Sequence, residues 1–334
     1  MKKINCLITG ITGMVGSHLL DFLMKETNWD IYGMCRWRSP LNNIQEHLGS
    51  DRLHLIDGDL IDSVSVKKAV EKSMPQYVFH LAAQSYPKVS FDSPLSTFDV
   101  NIDGTLRLLD AIKNTNKEAI VHVCSSSEVF GRVAKEKLPI NEECTFHPAS
   151  PYAISKCGTD LVGRYYAEAF GINTQITRMF THTGPRRGDV FAESSFAKQI
   201  AMIELGLIEP VVKVGNLNSL RTIADVRDAV RAYYLLVTKN PIPGAYYNIG
   251  GNKILKIGEI LEYLIGNSTK KGIKIEIDQT RLRPIDADLQ VPDPSKFINH
   301  TGWQPQISFE KTMSDLLDYW RGEVSNRREV RIVR

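Results

Sequence analysis

Short apolar runs alternate with longer amphipathic stretches through the first half of the chain. Helical patterns at residues 17–25 and 94–114 lie between these runs, and the runs are short enough to be strands buried on both faces. This alternation predicts a right-handed, doubly wound parallel sheet. Six runs are predicted to be its strands: residues 4–9, 31–35, 53–57, 77–81, 121–124 and 173–179.

The second half of the chain has a looser order of elements. Short strands are predicted at residues 209–216, 245–249 and 273–277, with helices between them and no low-complexity linker or repeat. We expect these segments to form a smaller α/β lobe over the carboxyl edge of the sheet, making a cleft. The predicted division is 1–180 for the nucleotide-binding domain and 181–325 for a lobe that interleaves with the sheet.

A glycine-rich turn links the first strand to the first helix in the spacing GxxGxxG. Glycines let the backbone approach a pyrophosphate, and the N-terminus of the next helix offers unpaired N–H donors. The order of strand, turn and helix predicts a Rossmann-type dinucleotide site. The cofactor-binding residues predicted here are Gly10, Thr12, Gly13, Met14, Val15 and Gly16.

The end of the second predicted strand indicates which dinucleotide binds. An NAD enzyme would have an acidic residue there to hold the ribose 2′-hydroxyl, but this chain has Arg36, Trp37 and Arg38. Guanidinium groups match phosphate oxygens, so Arg36 and Arg38 predict NADP as the cofactor.

Candidate catalytic groups follow the fifth predicted strand and start the helix after it. Ser126 and Glu128 lie at the carboxyl end of that strand, where open α/β sheets build their sites. Ser150 and the proline after it predict a helix start, which places Tyr152 and Lys156 on one helix face. A nearby ammonium group favours a phenolate, so we predict that Lys156 makes Tyr152 a base near neutral pH.

Composition narrows the protein class. The 334 residues are 43% hydrophobic and 24% charged with a formal net charge of +3, as in a globular protein without a basic stripe for nucleic acid. Five scattered cysteines are typical of reduced thiols rather than disulfides or a metal site. With no signal peptide or membrane span recognised, we expect a cytoplasmic protein that binds neither nucleic acid nor membrane.

The glycine turn, the strand-end serine and carboxylate, and the Tyr152–Lys156 pair together resemble the extended short-chain dehydrogenase/reductase family. The segments FTHTGPRRGD, KVGNLNSLRTIADVRDAV and RLRPIDAD resemble its GDP-mannose 4,6-dehydratase branch. The resemblance implies further cofactor contacts at Asp59, Leu60, Leu81 and Ala83, besides Tyr152 and Lys156. It implies substrate contacts at Ser85, Ser126, Thr181, His182, Arg187, Lys198, Arg221 and Arg283.

By this resemblance, Tyr152, Ser126 and Lys156 serve oxidation at the sugar C4, and Glu128 removes the C5 proton and assists loss of the C6 hydroxyl. The expected product is a GDP-4-keto-6-deoxy sugar, with NADP recycled internally. Thr181, Ser126 and the segment AQSYPK look closer to relatives acting on GDP-D-glycero-D-manno-heptose, so either that heptose or mannose is the expected sugar.

Three alternatives stay open: an NADPH-dependent reductase of GDP-4-keto-6-deoxy sugars, an epimerase, and a binding protein that has lost activity. The reductase shares the fold and the Tyr-Lys pair. An epimerase would usually lack the glutamate, and a binding protein needs no proton-transfer groups. Helices at 94–114 and 151–170 resemble those that pair between family subunits, and the loop after Arg36 resembles one that makes tetramers. The resemblance therefore implies a homo-oligomer, a tetramer first and a dimer second.

Overall fold

The computed structural model describes residues 3–282 and 287–332, without side chains beyond residue 326. Its strands, in chain order, are β1 Asn5–Thr9, β2 Asp30–Cys35, β3 Leu53–Asp57, β4 Tyr77–His80, β5 Ile120–Cys124, β6 Asn173–Met179, β7 His182–Thr183, β8 Val211–Val214, β9 Leu220–Thr222, β10 Ala224–Asp225, β11 Tyr246–Ile249, β12 Ile254–Lys256, β13 Lys274–Ile277 and β14 Leu289–Gln290.

Its helices, in chain order, are α1 Met14–Glu26, α2 Ser63–Ser73, α3 Pro87–Asp92, α4 Pro94–Phe98, α5 Gly104–Thr115, α6 Pro151–Phe170, α7 Ala192–Glu204, α8 Val226–Thr238, α9 Ile257–Gly266, α10 Ser295–Thr301 and α11 Phe309–Ile332. None of the helices within residues 3–282 and 287–332 is both long enough and apolar enough to cross a membrane.

A seven-stranded parallel sheet forms the centre of the fold, in the order β3-β2-β1-β4-β5-β6-β11. Helices α1 and α8 pack on one face, and α2, α5 and α6 pack on the other. The Rossmann-type doubly wound sheet predicted from the apolar runs is therefore confirmed. Because all its strands are parallel, their carboxyl ends meet at one edge, where the candidate site lies.

The expectation that residues 245–249 belong to the lobe is wrong. Strand β11 pairs in parallel with β6 and becomes the edge of the central sheet, and α8 covers that sheet beside α1. The apolar run of β11 did not indicate which sheet it would join, because a buried edge strand and a lobe strand have the same pattern.

A separate apolar core holds the lobe together. Helices α7, α9 and α11 surround β8, and their buried side chains include Phe196, Val212, Leu261 and Leu316. Within the lobe, β8 pairs in parallel with β13. These are two of the short strands predicted between helices. The division of the chain at residue 180 stays a prediction.

The helix expected at residues 94–114 is interrupted. A π-helical turn at Asp99–Asp103 joins α4 to α5. Within it, the Asn101 side chain accepts from the Gln84 backbone N–H and donates to the Gln84 carbonyl and the Ser155 hydroxyl. These bonds connect the turn to the loop after β4 and to α6, and π turns of this kind often occur near functional sites.

Candidate functional site

The glycine turn between β1 and α1 is tightly folded. Gly10 has a φ of +72°, and a Cβ there would lie 2.9 Å from the backbone of Ala82. A Cβ on Gly16 would lie 2.3 Å from the Gly10 carbonyl oxygen. Helix α1 begins after Gly13 without a side-chain cap, so the N–H groups of its first turn face outward for a phosphate. The predicted residues from Gly10 to Gly16 thus form one tight turn before α1, and their role in binding the cofactor phosphates stays a prediction.

A cavity of about 460 Å³ lies where the segments after β2 and β3 meet helix α4. Its lining combines two guanidinium groups with apolar side chains and two carboxylates. Because guanidinium groups match phosphate oxygens, we predict that Arg36 and Arg38 bind the 2′-phosphate that NADP carries and NAD lacks. Leu60, behind Asp59, is buried, and its carbonyl accepts from Arg107. The cavity is lined by Arg36, Arg38, Asp59, Ile61, Leu95, Ser96, Asp99 and Val100.

The loop after β4 completes the cofactor side of the cleft. The backbone N–H groups of Leu81 and Ala82 both donate to the Thr9 hydroxyl at 3.1 Å, which fastens the loop to the end of β1. Leu81 and Ala83 are partly buried there, next to the glycine turn. Ser85, further along the loop, is exposed.

Ser126 and Glu128 form a short turn at the carboxyl end of β5. The Ser126 hydroxyl accepts from the Glu128 backbone N–H at 3.2 Å and caps the 3-10 turn Ser127–Phe130. Ser126 is buried, whereas Glu128 is only partly buried. The turn therefore holds a hydroxyl and a carboxylate at the sheet edge, as predicted from the strand end.

Helix α6 is pinned to β5 by Lys156. The helix begins at the predicted place, where the Ser150 hydroxyl accepts from the Ala153 N–H at 3.1 Å. Lys156 is buried and donates from Nζ to the Cys124 carbonyl oxygen at 2.8 Å. The Ser125 hydroxyl donates to the Lys156 carbonyl oxygen at 3.2 Å. These two bonds fix the position of α6 relative to the end of β5. Burial lowers the pKa of Lys156.

The prediction that Lys156 brings Tyr152 near neutrality is wrong for this structure. Burial raises the pKa of Tyr152 above its usual value, and the charge of Glu128 adds to the increase. The groups that oppose the increase are Ser126, which hydrogen-bonds the phenol, and Arg187, which contributes a positive charge. Lys156 is held by the strand carbonyl, and desolvation of the ring outweighs the favourable charges. Tyr152 is a neutral phenol here.

Arg187 approaches the same phenol from the lobe side. Its Nε lies 3.4 Å from Glu193 Oε1, and its guanidinium lies 3.4 Å from the centroid of the Phe191 ring. Burial and the charge of Arg187 lower the pKa of His182 to about 4, so this ring is neutral at pH 7. The structure thus brings Ser126, Glu128, Tyr152 and Arg187 together, with His182 beside Arg187.

The contacts of the other predicted substrate residues do not connect them to Tyr152 within the part of the chain that the structure describes. Among the described residues, Lys198 contacts Asp189 at 2.5 Å and the Trp320 ring rather than the phenol. Thr181 accepts from the Ala224 N–H through its backbone, and Arg221 lies on β9 and donates to the Leu220 carbonyl. Arg283 lies outside the described residues.

Sequence reasoning missed Glu193 and Asn101. Glu193 is 4% exposed and pairs with Arg187, but an acidic residue in the first turn of a helix is ordinary and gave no signal. Asn101 lies within the predicted helix at residues 94–114. A polar residue on the buried face of that helix was the only signal that could have indicated its role.

Comparison with known proteins places this site in a family. A family model described as GDP-mannose 4,6 dehydratase matches residues 7–316. A curated GDP-mannose 4,6 dehydratase of Drosophila melanogaster is 32% identical over 339 residues, covering 93% of this chain and 84% of that protein.

Matches from Pseudomonas aeruginosa, in sequence and in structure, are similar in length to this chain. A GDP-6-deoxy-D-mannose reductase is 31% identical over 318 residues, covering 95% of this chain and 97% of the relative. The solved structure of RMD complexed with NADPH has 29% identity and a TM-score of 0.81, covering 96% of this chain and 99% of that one.

Proposed function

Because the chain belongs to the GDP-mannose 4,6-dehydratase family, we propose that it converts a GDP-sugar to the GDP-4-keto-6-deoxy sugar by loss of water. It is an enzyme of the carbon-oxygen lyase type that uses NADP. The observation that carries the proposal is the meeting of Ser126, Glu128 and Tyr152 at the carboxyl end of β5. A hydroxyl, a carboxylate and a phenol supply the proton transfers that the reaction needs.

The first half of the reaction is assigned to Tyr152 and Ser126. Tyr152, once deprotonated, takes the proton of the sugar C4 hydroxyl, while Ser126 hydrogen-bonds the same oxygen. When bound, NADP would supply the hydride acceptor for C4 and then the hydride donor for C6, and its oxidised ring would add a positive charge to the site. That charge, with Arg187, opposes the effect of burial on the pKa of Tyr152.

The second half of the reaction is assigned to Glu128. A ketone at C4 acidifies the proton on C5, which the Glu128 carboxylate removes. The protonated carboxyl group then assists the departure of the C6 hydroxyl as water, which leaves a C5–C6 double bond. Once C6 has received the hydride, C5 takes up a proton from solvent, and the 4-keto-6-deoxy sugar is complete. Lys156 is assigned to the nicotinamide ribose. Its bond to the Cys124 carbonyl of β5 also fixes the position of α6. Net redox is zero, so the cofactor stays bound through turnover.

The GDP portion is assigned to the lobe side of the cleft. Arg187 is the best supported contact, because its guanidinium lies beside the phenol and matches phosphate oxygens. His182, Thr181, Ser85, Lys198, Arg221 and Arg283 are proposed as further contacts.

The direct test is product identification. Purified protein is incubated with GDP-mannose or with GDP-D-glycero-D-manno-heptose, without added NADPH, and the sugar is analysed. We expect a 4-keto-6-deoxy product from one of the two substrates. No reaction with either substrate, from protein that binds NADP, would refute the proposal.

A reductase of GDP-4-keto-6-deoxy sugars is the second candidate. The observation that supports it is a GDP-6-deoxy-D-mannose reductase relative that is as similar to this chain as the dehydratases are, with 31% identity over 95% of the chain. A reductase consumes NADPH stoichiometrically against a 4-keto-6-deoxy sugar and needs no base at C5. Oxidation of added NADPH in that assay would select this candidate.

We also propose that the protein is a homo-oligomer in the cytoplasm. Apolar side chains on α4 and α6 face outward, with Leu95 80% and Tyr165 56% exposed, and Ile154 and Leu161 lie on the same helix as Tyr165. Pairing of these helices between two copies would bury them. Light scattering at micromolar concentration should give a tetramer mass, or else a dimer mass; a monomer would contradict this proposal.

A further inference from the structure

The turn that leads into Arg187 has an unusual backbone. Arg186 has a φ of +67°, in the left-handed region that side chains other than glycine rarely adopt. The turn is closed by a bond from the Arg187 N–H to the Gly184 carbonyl oxygen at 3.3 Å. A non-glycine residue in this region is strained unless its surroundings hold it.

Helix α1 of the cofactor domain holds this turn. The Arg186 guanidinium donates from Nη1 to Asp21 Oδ2 at 2.7 Å. One helical turn earlier, His18 Nε2 lies 3.1 Å from the Pro185 carbonyl oxygen, which can only accept, so this nitrogen carries the proton. Two contacts from one face of α1 therefore fasten two successive residues of the turn.

Asp21 also contacts the segment after the predicted NADP-selecting loop. Its Oδ1 lies 2.8 Å from His47 Nε2, at the end of the 3-10 turn Asn42–His47. In the same turn, Asn43 donates to the Thr12 carbonyl of the glycine turn at 2.9 Å. One carboxylate thus joins the cofactor side of the cleft to the turn that carries Arg187.

We propose that Asp21 is a positioning residue for the reaction: it holds Arg186 in its strained conformation and thereby places Arg187 beside Tyr152. The Asp21 carboxylate reaches Arg187 through Arg186, by way of Oδ2, while its Oδ1 contacts His47. The Arg187 carbonyl is fixed independently by the Ser194 hydroxyl at 2.7 Å. Asp21 therefore holds the turn that precedes Arg187, whereas Ser194 connects Arg187 to helix α7, which follows it.

The first test replaces Asp21 with the isosteric amide. This inference rests on the proposed function in treating Arg187 as a GDP contact, so GDP binding is measured by calorimetry on NADP-loaded protein, without turnover. Asp21→Asn should weaken GDP binding about tenfold, as expected for loss of a charged hydrogen bond. Hydrogen exchange in the peptide around residues 184–188 should become faster, and NADP affinity should not fall in parallel.

A matched pair of variants at Arg186 separates backbone strain from charge. Arg186→Ala and Arg186→Gly lose the same guanidinium, but glycine adopts a φ of +67° without strain. We expect Arg186→Ala to weaken GDP binding as Asp21→Asn does, and Arg186→Gly to retain most of the wild-type affinity. In the Arg186→Gly background, Asp21→Asn should add little further loss.

The inference is overturned if the alanine and glycine variants lose affinity equally, since the guanidinium itself would then contact the ligand. It is also overturned if Asp21→Asn changes neither GDP affinity nor exchange while the wild type binds GDP. Failure of the proposed function would show differently, as wild-type protein that binds GDP and NADP but makes no 4-keto-6-deoxy product.

Discussion

The two sides of the cleft are held in place by different means. At the sheet edge, Lys156 on α6 bonds to the backbone of β5, and Ser126 bonds to the backbone of its own turn, so their positions follow from the packing of α6 on β5. On the lobe side, Arg187 depends on side chains from other elements, with Glu193 and Phe191 beside it and Asp21 behind the preceding residue. The catalytic side is thus preorganised by the fold, and the substrate side is held by contacts that one substitution can release.

The largest expected effect is at the sheet edge, at Glu128. Glu128→Gln removes the proposed base and acid without changing side-chain size, so turnover should fall about a hundred- to ten-thousandfold. Affinities for NADP and GDP should remain near wild type, because the strand-end backbone is unchanged. Steady-state product formation and calorimetry measure the two quantities.

Glu136→Gln is the matched control, because Glu136 is an exposed carboxylate on a nearby 3-10 turn and should be neutral. A turnover loss as small for Glu128→Gln as for the control would show that the sheet edge does not supply the C5 base.

An intermediate effect is expected on the lobe side, at Arg187. Arg187→Ala removes a charged hydrogen-bond donor and should weaken GDP binding about ten- to a hundredfold. Arg187→Lys keeps the charge but loses the planar fork, so its affinity should lie between those of wild type and Arg187→Ala. NADP affinity is measured on the same samples. An equal fall in NADP and GDP affinity would show that Arg187 does not act on the substrate side alone.

A smaller effect is expected at the cofactor cavity, at Arg36. The guanidinium is exposed, so its pairing with the 2′-phosphate is partly screened. Arg36→Ala should weaken NADP binding about three- to tenfold and leave NAD binding almost unchanged. NAD serves as the control ligand because it lacks that phosphate, and equal losses for both would remove Arg36 from cofactor selection.

The residues that could be predicted from the sequence lie where short segments determine position. Gly10 to Gly16, Ser126 and Lys156 each follow or face a single apolar run, so the strand order was enough to place them. The pKa of Tyr152 could not be predicted, because it depends on burial and on Arg187, far away in the chain. Glu193 and Asp21 were missed for the same reason: their partners are set by the packing of the lobe on α1 and on the turn before α7.

Glu128 is proposed to act as a base at C5 during a reaction in which NADP is reduced and then reoxidised on the same sugar. The most direct measurement incubates the wild-type enzyme with GDP-mannose or its heptose counterpart in deuterated water, with no NADPH added. We expect a 4-keto-6-deoxy sugar with deuterium at C5, because the proton that replaces the one removed there comes from solvent. A product without deuterium at C5 would contradict this proposal, as would an enzyme that is inactive here but oxidises NADPH against a 4-keto-6-deoxy sugar.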